Sequence, residues 1–310
     1  MLFRSSRGLH LLHQSLPNVR LWDGFPNQPT GRKHWSANAP LINPNFGEMR
    51  TQSSNANSYF HGLAVGLQKR MTKGLQVQLA YNYSKAIDQG SGVTSGGDEF
   101  AQGQRGIYYW DMNEKRGLAS FDIRNSMTTN FTFEPPTKGL TGVAGAIAGG
   151  WQINGIITLS DGYPLSIFDS SSAQNTRIGA NEQLRVNLIP GGNTNPVLGG
   201  PDNYFDLRQF VPSVCQGTTI CRPNTADYEP GYFGTLGRNT LIAPGIATVD
   251  FSLQKNFQFL ESHRVQFRAE FFNLFNRPNF GSPVTTIFTN GVLSTDAGRI
   301  NSTKGSARQI

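Results

Sequence analysis

Two cysteines are the side chains of this sequence with the clearest chemistry. Cys215 and Cys221 are the only cysteines in the chain, with five residues between them in a stretch rich in Pro, Gly and Asn. Two cysteines this close predict a small disulfide-closed loop, which requires an oxidising compartment. A pair of free thiols is the alternative. No His or second Cys pair lies nearby in the sequence, so a zinc centre is not predicted.

The other polar side chains form no catalytic or metal-binding pattern. The five histidines are scattered, and His10 and His13 lack further ligands at matching spacing. Asp161-Gly-Tyr-Pro164 and Gly96-Gly-Asp-Glu99 lack the acidic spacing of a calcium loop and predict turns instead. A Gly-x-Ser-x-Gly nucleophile motif and a phosphate-binding glycine loop are both absent. The sequence therefore predicts no enzyme activity, no metal and no cofactor.

The composition differs from that of an ordinary soluble domain. Apolar residues make up 37% of the chain and charged residues 15%, whereas soluble domains have about 45–50% and about 25%. A barrel wall in which alternate residues face lipid and a water-filled lumen has this composition. A Gly/Asn-rich secreted β-protein is the alternative. The net charge of +7 is spread along the chain. It indicates basic residues at a membrane rim rather than binding to nucleic acid.

Alternation of apolar and polar residues predicts the elements that position these side chains. The sequence has no run of about 18 apolar residues, so no transmembrane helix is predicted. The alternating segments are each about ten residues long, which is the length that a tilted strand needs to cross a bilayer. They lie at 59–70, 75–86, 123–134, 151–168, 246–258 and 264–275.

The connections between these segments alternate between short and long. Met71-Thr-Lys-Gly74 and Phe259-Leu-Glu-Ser-His263 predict tight turns, and 135–150 is of medium length. Outer-membrane barrels have short periplasmic turns and long outer loops in this order. We therefore expect segment 59–70 to run toward the periplasm and the cysteine pair to lie outside. The predicted outer loops are 87–119, 170–245 and 276–303.

The alternation also assigns side chains to the two surfaces of the predicted wall. Four polar residues of one segment are expected to face the lumen: Arg264, Gln266, Arg268 and Glu270. Four aromatic residues are expected at the membrane interfaces: Tyr81, Tyr83, Trp151 and Phe257.

The fold class predicted from these patterns is all-β, an antiparallel up-and-down segment of a transmembrane barrel. Residues 1–45 are expected to be a poorly defined segment or loop, and 46–310 a partial barrel. The segment is expected to have about seven or eight strands. Six or seven strands are too few, because eight is the smallest number in a bacterial barrel and open sheet edges are unfavourable in lipid. We therefore expect a chain truncated at both ends, a piece of a larger barrel.

Several strings in this order resemble the C-terminal barrel region of TonB-dependent receptors of the Oar-like type, which is common in Acidobacteria. The resemblance covers roughly residues 40–310, and its most specific string is VQFRAEFFNLFNRPNFG at Val265–Gly281. The other strings are Asn57–Arg70, Gly74–Asp88, Ser120–Asn125, Gly149–Gly155 and Gly234–Asn239.

The resemblance implies a function as well as a fold. It implies a barrel of about 22 strands closed around an N-terminal plug, in the outer membrane of a Gram-negative bacterium. Such receptors import scarce ligands with energy from the TonB complex, and they often carry an N-terminal carboxypeptidase-regulatory-like domain. The implied partners are membrane lipid and lipopolysaccharide, the plug, and the TonB complex. The alternative is a secreted or surface β-sandwich that binds or adheres.

Overall fold

The computed structural model describes residues 2–16, 45, 49–89, 91, 113, 116–137, 139–170, 184–215, 220–221, 225–228, 232–259, 263–289 and 291–310. For 2–16, 49–55, 184 and 258–259 it describes the backbone alone. Within these ranges no helix is both long enough and apolar enough to cross a membrane.

Strands account for most of the regular structure, and the described part of the chain has one α-helix, α1 (Gly142–Ala148). The strands are β1 (Leu2–Leu16), β2 (Met49–Thr72), β3 (Leu75–Asp88), β4 (Gly117–Leu118), β5 (Asn125–Phe133), β6 (Trp151–Ser160), β7 (Pro164–Leu165), β8 (Phe168–Asp169), β9 (Leu184–Arg185), β10 (Asn187–Leu188), β11 (Phe210–Val211), β12 (Leu241–Ile242), β13 (Ile246–Phe259), β14 (His263–Phe271), β15 (Thr286–Thr289) and β16 (Val292–Leu293).

One large antiparallel sheet dominates the fold. Its strands lie in the order β1-β2-β3-β5-β6-β13-β14, and the short strand β4 pairs with the end of β3. Each long strand therefore pairs with its neighbours along the chain, which is an up-and-down meander. This confirms the predicted all-β antiparallel fold class. Residues 1–45, expected to be a poorly defined segment, include β1, which pairs with β2 from Leu63 back to Met49.

The short connections lie at one end of this sheet, which we call the short-turn end. Lys73 and Gly74 join β2 to β3 with φ angles of 52° and 79°. Positive φ at both central residues is the mark of a type I′ hairpin turn. At the same end Phe259 pairs with His263 in the β13–β14 hairpin, and α1 lies between β5 and β6. The opposite end is called the long-loop end.

Two strands end earlier than the sequence predicts. The segment predicted at 151–168 leaves the sheet after Ser160, because the next residues pair elsewhere, in β7 with β12 and in β8 with β15. The segment predicted at 264–275 ends at Phe271. Asn273 and Asn276 follow with φ of 50° and 51°, a left-handed conformation that turns the chain and that Asn tolerates better than most residues.

The described parts of the long connections are folded. The described residues of 161–245 and 272–310 form short strands around a shared hydrophobic core, and we call this part the loop-end subdomain. The predicted loop 87–119 likewise contributes Ile87 and Asp88 to β3 and all of β4. The buried residues of the core are Ile167, Val186, Tyr204, Phe205, Phe210, Leu236, Leu241, Ile287, Phe288, Ala297 and Ile300.

Candidate functional site

One face of the large sheet is apolar from β2 to β14. Residues directly opposite in a ladder share a face, and alternate residues along a strand lie on opposite faces. Many of these apolar side chains are exposed: Leu67 is 60% exposed and Phe267 53%. Lys69 and Lys255 lie on this face at its short-turn edge. The apolar members of this apolar face include Leu63, Val65, Leu67, Leu75, Val77, Leu79, Tyr81, Tyr83, Met127, Phe131, Phe133, Trp151, Ile153, Ile157, Leu159, Val249, Phe251, Leu253, Phe257, Val265, Phe267 and Phe271.

The other face is polar and mostly uncharged. Its side chains bond across strands: Thr132 Oγ1 donates to Asn154 Oδ1 at 3.0 Å, and Asn154 Nδ2 to Ser252 Oγ at 3.4 Å. The exposed Ile156 is an apolar exception. The members of this polar face include Gln68, Gln76, Gln78, Asn82, Ser84, Ser126, Thr128, Asn130, Thr132, Gln152, Asn154, Thr158, Ser252, Gln254 and Asn256.

The four polar residues predicted to face a lumen lie in a row on this polar face of β14. Arg264, Gln266, Arg268 and Glu270 pair with alternate residues of β13. Gln266 Nε2 donates to Asn256 Oδ1 at 3.0 Å, and Arg268 forms an ion pair with Glu270. Both partners of the ion pair are solvent-accessible, so it adds little to stability.

The four predicted interface aromatics all lie on the apolar face, in two groups. Trp151 and Phe257 are at the short-turn end, where Lys255 Nζ lies 4.6 Å and 5.0 Å from their ring centroids. Tyr81 and Tyr83 lie nearer the long-loop end. The Arg124 guanidinium is 6.0 Å from the Tyr83 ring. Cation–aromatic pairs of this kind are favourable at the polar boundary of a bilayer.

The height of the apolar face is slightly less than that of the apolar band of a membrane barrel. On β3 it extends from Leu75 to Tyr83 and ends at Lys85, which faces His61 of β2. This stretch is about 27 Å along the strand, or about 20 Å along the membrane normal for a tilt of about 40°. The apolar band of outer-membrane barrels is about 25 Å tall.

The boundary at the short-turn end runs diagonally across the strands. Lys69 of β2 is level in the ladder with Val77 of β3 and, through β5 and β6, with Phe251 of β13. On β13, Lys255 lies about 13 Å beyond Phe251 toward the short-turn end. The distance across the sheet from β2 to β13 is about 19 Å. The boundary is therefore inclined by about 35°, close to the strand tilt of about 35–45° in barrels. This boundary of the apolar face lies parallel to a membrane surface only when the strands are tilted by about that angle from the membrane normal.

Buried polar contacts fix the long-loop end of the wall. Arg238 forms a buried ion pair with Asp88 and donates through Nη1 to Ser91 O at 2.7 Å. Asn239 Nδ2 donates to Leu118 O at 2.7 Å. Asp122 is 4% exposed and accepts the Ala86 N–H at 2.6 Å. Sequence reasoning identified the strings around Arg238 and Asp122 only as points of resemblance.

A cleft of about 830 Å³ opens beside these contacts at the long-loop end. Its lining combines the apolar Met127 and Leu159 with the charged Arg124, Asp161 and Arg277. Asn125 Nδ2 donates to Asp161 Oδ2 at 2.6 Å. Met127 and Leu159 also belong to the apolar face, so the cleft lies where that face meets the loop-end subdomain. The described residues include no group of His, Cys, Asp or Glu that could hold a metal ion. The Gly96–Glu99 turn lies outside the described residues.

The two cysteines lie in the loop-end subdomain. Their sulfurs are bonded, with the Cα atoms 5.5 Å apart, and the pair packs with Val214 and Tyr228. In the main core of the subdomain, burial raises the pKa of Tyr204 to about 12, and its hydroxyl donates to Ile242 O at 2.9 Å.

A tilted sheet with one exposed apolar face, one polar face, cation–aromatic edges and alternating short and long connections defines the wall of a transmembrane β-barrel. The chain matches the family described as "Outer membrane beta barrel domain" over residues 5–310, and it belongs to that family. It is therefore an outer-membrane protein, as the sequence predicts. No curated protein and no solved structure shows significant similarity to it.

Proposed function

We propose that this chain forms part of the wall and outer mouth of a TonB-dependent, Oar-like receptor, which imports a ligand without catalysis. The observation that carries the proposal is that four of its receptor-like strings make contacts at the long-loop end. Asp122 accepts the Ala86 N–H of β3, and Arg238 pairs with Asp88 at the end of the same strand. Asn279 Oδ1 accepts the Ala247 N–H of β13 at 2.8 Å. These contacts give the mouth a fixed shape, which a selective entrance needs.

The polar face suits contact with a plug inside the barrel. Amide and hydroxyl side chains can both donate and accept hydrogen bonds, so they can satisfy the polar surface of a folded domain. Among the described residues β1 and β14 are the two edges of the sheet and do not pair with each other. Open edges are unfavourable in lipid, so further strands of the same receptor would complete the wall. The isolated Phe272–Gln309 bridge lies where such a strand would join β14.

The cations at the long-loop edge of the apolar face fit the outer leaflet. Arg124 lies over Tyr83 and Arg116 over Tyr59, each with its guanidinium carbon 6.0 Å from the ring centroid. Guanidinium groups bind phosphate oxygens in bidentate fashion. We expect them to bind the phosphate groups of lipopolysaccharide, which is the lipid partner in this proposal.

The test uses the full-length protein extracted from outer membranes with detergent. It should change its gel mobility on heating, as folded barrels do, and should be retained by an immobilised, purified periplasmic domain of TonB. The same protein lacking the residues ahead of its plug is the control and should not be retained. A folded full-length protein that does not bind the TonB domain would contradict the receptor proposal. Recovery as a water-soluble monomer would contradict the membrane wall as well.

A second measurement separates a plugged receptor from an open pore. Vesicles that contain the full-length protein are placed in solutions of small sugars, and swelling is followed by light scattering. A plugged barrel should admit the sugars no faster than empty vesicles do. Rapid swelling would indicate an unplugged channel and would refute the import mechanism proposed here.

A further inference from the structure

The connection between β5 and β6 is longer and more apolar than the other turns at the short-turn end. Its sequence from 139 to 150 is GLTGVAGAIAGG and contains no charged residue. It holds the helix α1, which has no acidic residue in its first turn, no basic residue in its last turn and no buried residue. We propose that α1 is an interfacial anchor, which inserts an apolar stripe into the periplasmic leaflet of the outer membrane beside the barrel wall.

Two side chains of the apolar face fix the position of α1. Trp151 Nε1 donates to the carbonyl oxygen of Ile147 at 2.9 Å, and Lys255 Nζ donates to the same oxygen. Trp151 and Lys255 are directly opposite each other in the β6–β13 ladder. Because both belong to the apolar face, the end of α1 lies on the lipid side of the wall, away from the lumen.

The segment exposes three large apolar side chains. Leu140 is 50% exposed, Val143 77% and Ile147 66%. Val143 and Ile147 are four residues apart and lie on one side of α1, and Leu140 lies just ahead of the helix. Such a stripe is unfavourable in water, and it continues the apolar face at the edge of the band.

The chemistry around α1 favours the headgroup region as its environment. Tryptophan and lysine are the side chains that commonly mark the interface between lipid and water. Interfacial helices usually combine an apolar side with a charged one. For α1 the charge is supplied by Lys255 of β13. The Lys255 side chain is 5% exposed, and its ammonium group binds the C-terminal end of the helix, where the helix dipole favours a cation. A helix of seven residues is about 10 Å long, so it can lie in one leaflet but cannot cross the membrane.

The test places a fluorescent probe on α1 in the whole chain. Both natural cysteines are in the disulfide, so Val143→Cys provides a single thiol for labelling. Lys73→Cys, in the tight turn at the same end of the sheet, is the water-exposed control. Leu67→Cys, on the apolar face, is the lipid-exposed control. The labelled proteins are inserted into vesicles of phosphatidylethanolamine and phosphatidylglycerol that contain lipids with a spin label near the headgroup.

We expect the spin-labelled lipid to quench the probe at Val143 several-fold more strongly than the probe at Lys73. Iodide in the water should quench them in the opposite order. Equal iodide quenching at Val143 and Lys73 would overturn the proposal, because α1 would then lie in the periplasm. Protection of the Val143 probe from both quenchers would overturn it too, because protein would then cover the helix. Neither outcome depends on TonB, so the anchor can fail while the receptor proposal stands.

Discussion

The contact between Asp88 and Arg238 joins residues 150 positions apart. The Asp88 side chain is fully buried, and that of Arg238 is 4% exposed. Among the described residues, Asp88 Oδ2 and Arg238 Nε have no hydrogen-bond partner. The pair therefore contributes less than a fully satisfied one, but losing either partner leaves a buried charge.

Replacing Arg238 should loosen the loop-end subdomain. We expect Arg238→Ala to destabilise it by about 3–5 kcal/mol, because the Asp88 carboxylate is left without its cation. The double variant Asp88→Leu/Arg238→Met should be more stable than Arg238→Ala. Urea-dependent protease cleavage of the detergent-solubilised protein measures both. Arg208→Ala is the control, because that side chain is 88% exposed. Equal cleavage of Arg238→Ala and Arg208→Ala would show that the buried pair does not fix the subdomain.

Ionisation of Tyr204 should lower the stability of the loop-end subdomain at alkaline pH. Burial raises the pKa of its hydroxyl from 10.0 to about 12. A raised pKa means that the folded state resists losing the proton, so this contribution is complete below pH 10 and is lost as the pH rises toward 12. We expect protease sensitivity to increase over that range, in step with phenolate absorbance. Tyr204→Phe should remove this part of the pH dependence, and an unchanged profile would assign it to another group.

The sequence predicts the cysteine pairing at this scale but not the Arg238 contact. A disulfide between residues six positions apart is visible in a local pattern. The partner of Arg238 is far away in the sequence, and no local pattern identifies it. In the sequence the string around Arg238 indicates only a resemblance, and in the structure it anchors a loop to the end of β3.

At the scale of elements, the tight turn between β2 and β3 is sensitive to one glycine. Gly74 has φ of +79°, and a Cβ there would overlap the carbonyl oxygen of Glu134. We expect Gly74→Ala to cost about 1–3 kcal/mol, measured by urea titration of the folded, heat-modifiable form. Gly66→Ala is the matched control, because no atom lies within 4 Å of a Cβ at that position. Equal effects of the two changes would argue against the type I′ geometry.

Alternation predicts the strands of the wall because lipid and lumen impose opposite demands on neighbouring residues. The prediction is wrong at the strand ends, where pairing decides. Leu165 and Ile167 continue the pattern of β6, but their backbone has left the sheet for the loop-end subdomain. The subdomain core could not be predicted, since Phe205 and Phe288 belong to separate connections that look like open loops in sequence.

At the scale of the whole molecule, the two faces predict opposite responses to charge. Leu79 is near the middle of the apolar face, and its neighbour Gln78 lies on the polar face. In a bilayer Leu79→Arg should cost about 2–4 kcal/mol, while Gln78→Arg should cost little. Equilibrium refolding into lipid vesicles measures both. A larger cost for Gln78→Arg would mean that the lipid and lumen sides are reversed.

The contact between Asp88 and Arg238 also has a consequence for the order of assembly. The hairpins of the wall pair residues close in sequence and can form quickly, whereas a contact across 150 positions must wait for a large loop to close. We expect the wall to form first and the loop-end subdomain to be fixed afterwards. During insertion the loop-end subdomain would then still be unfolded, and an unfolded chain is narrow enough to cross the bilayer. Once this subdomain has folded on the outer side of the membrane, it would hinder movement of the strands back across the bilayer.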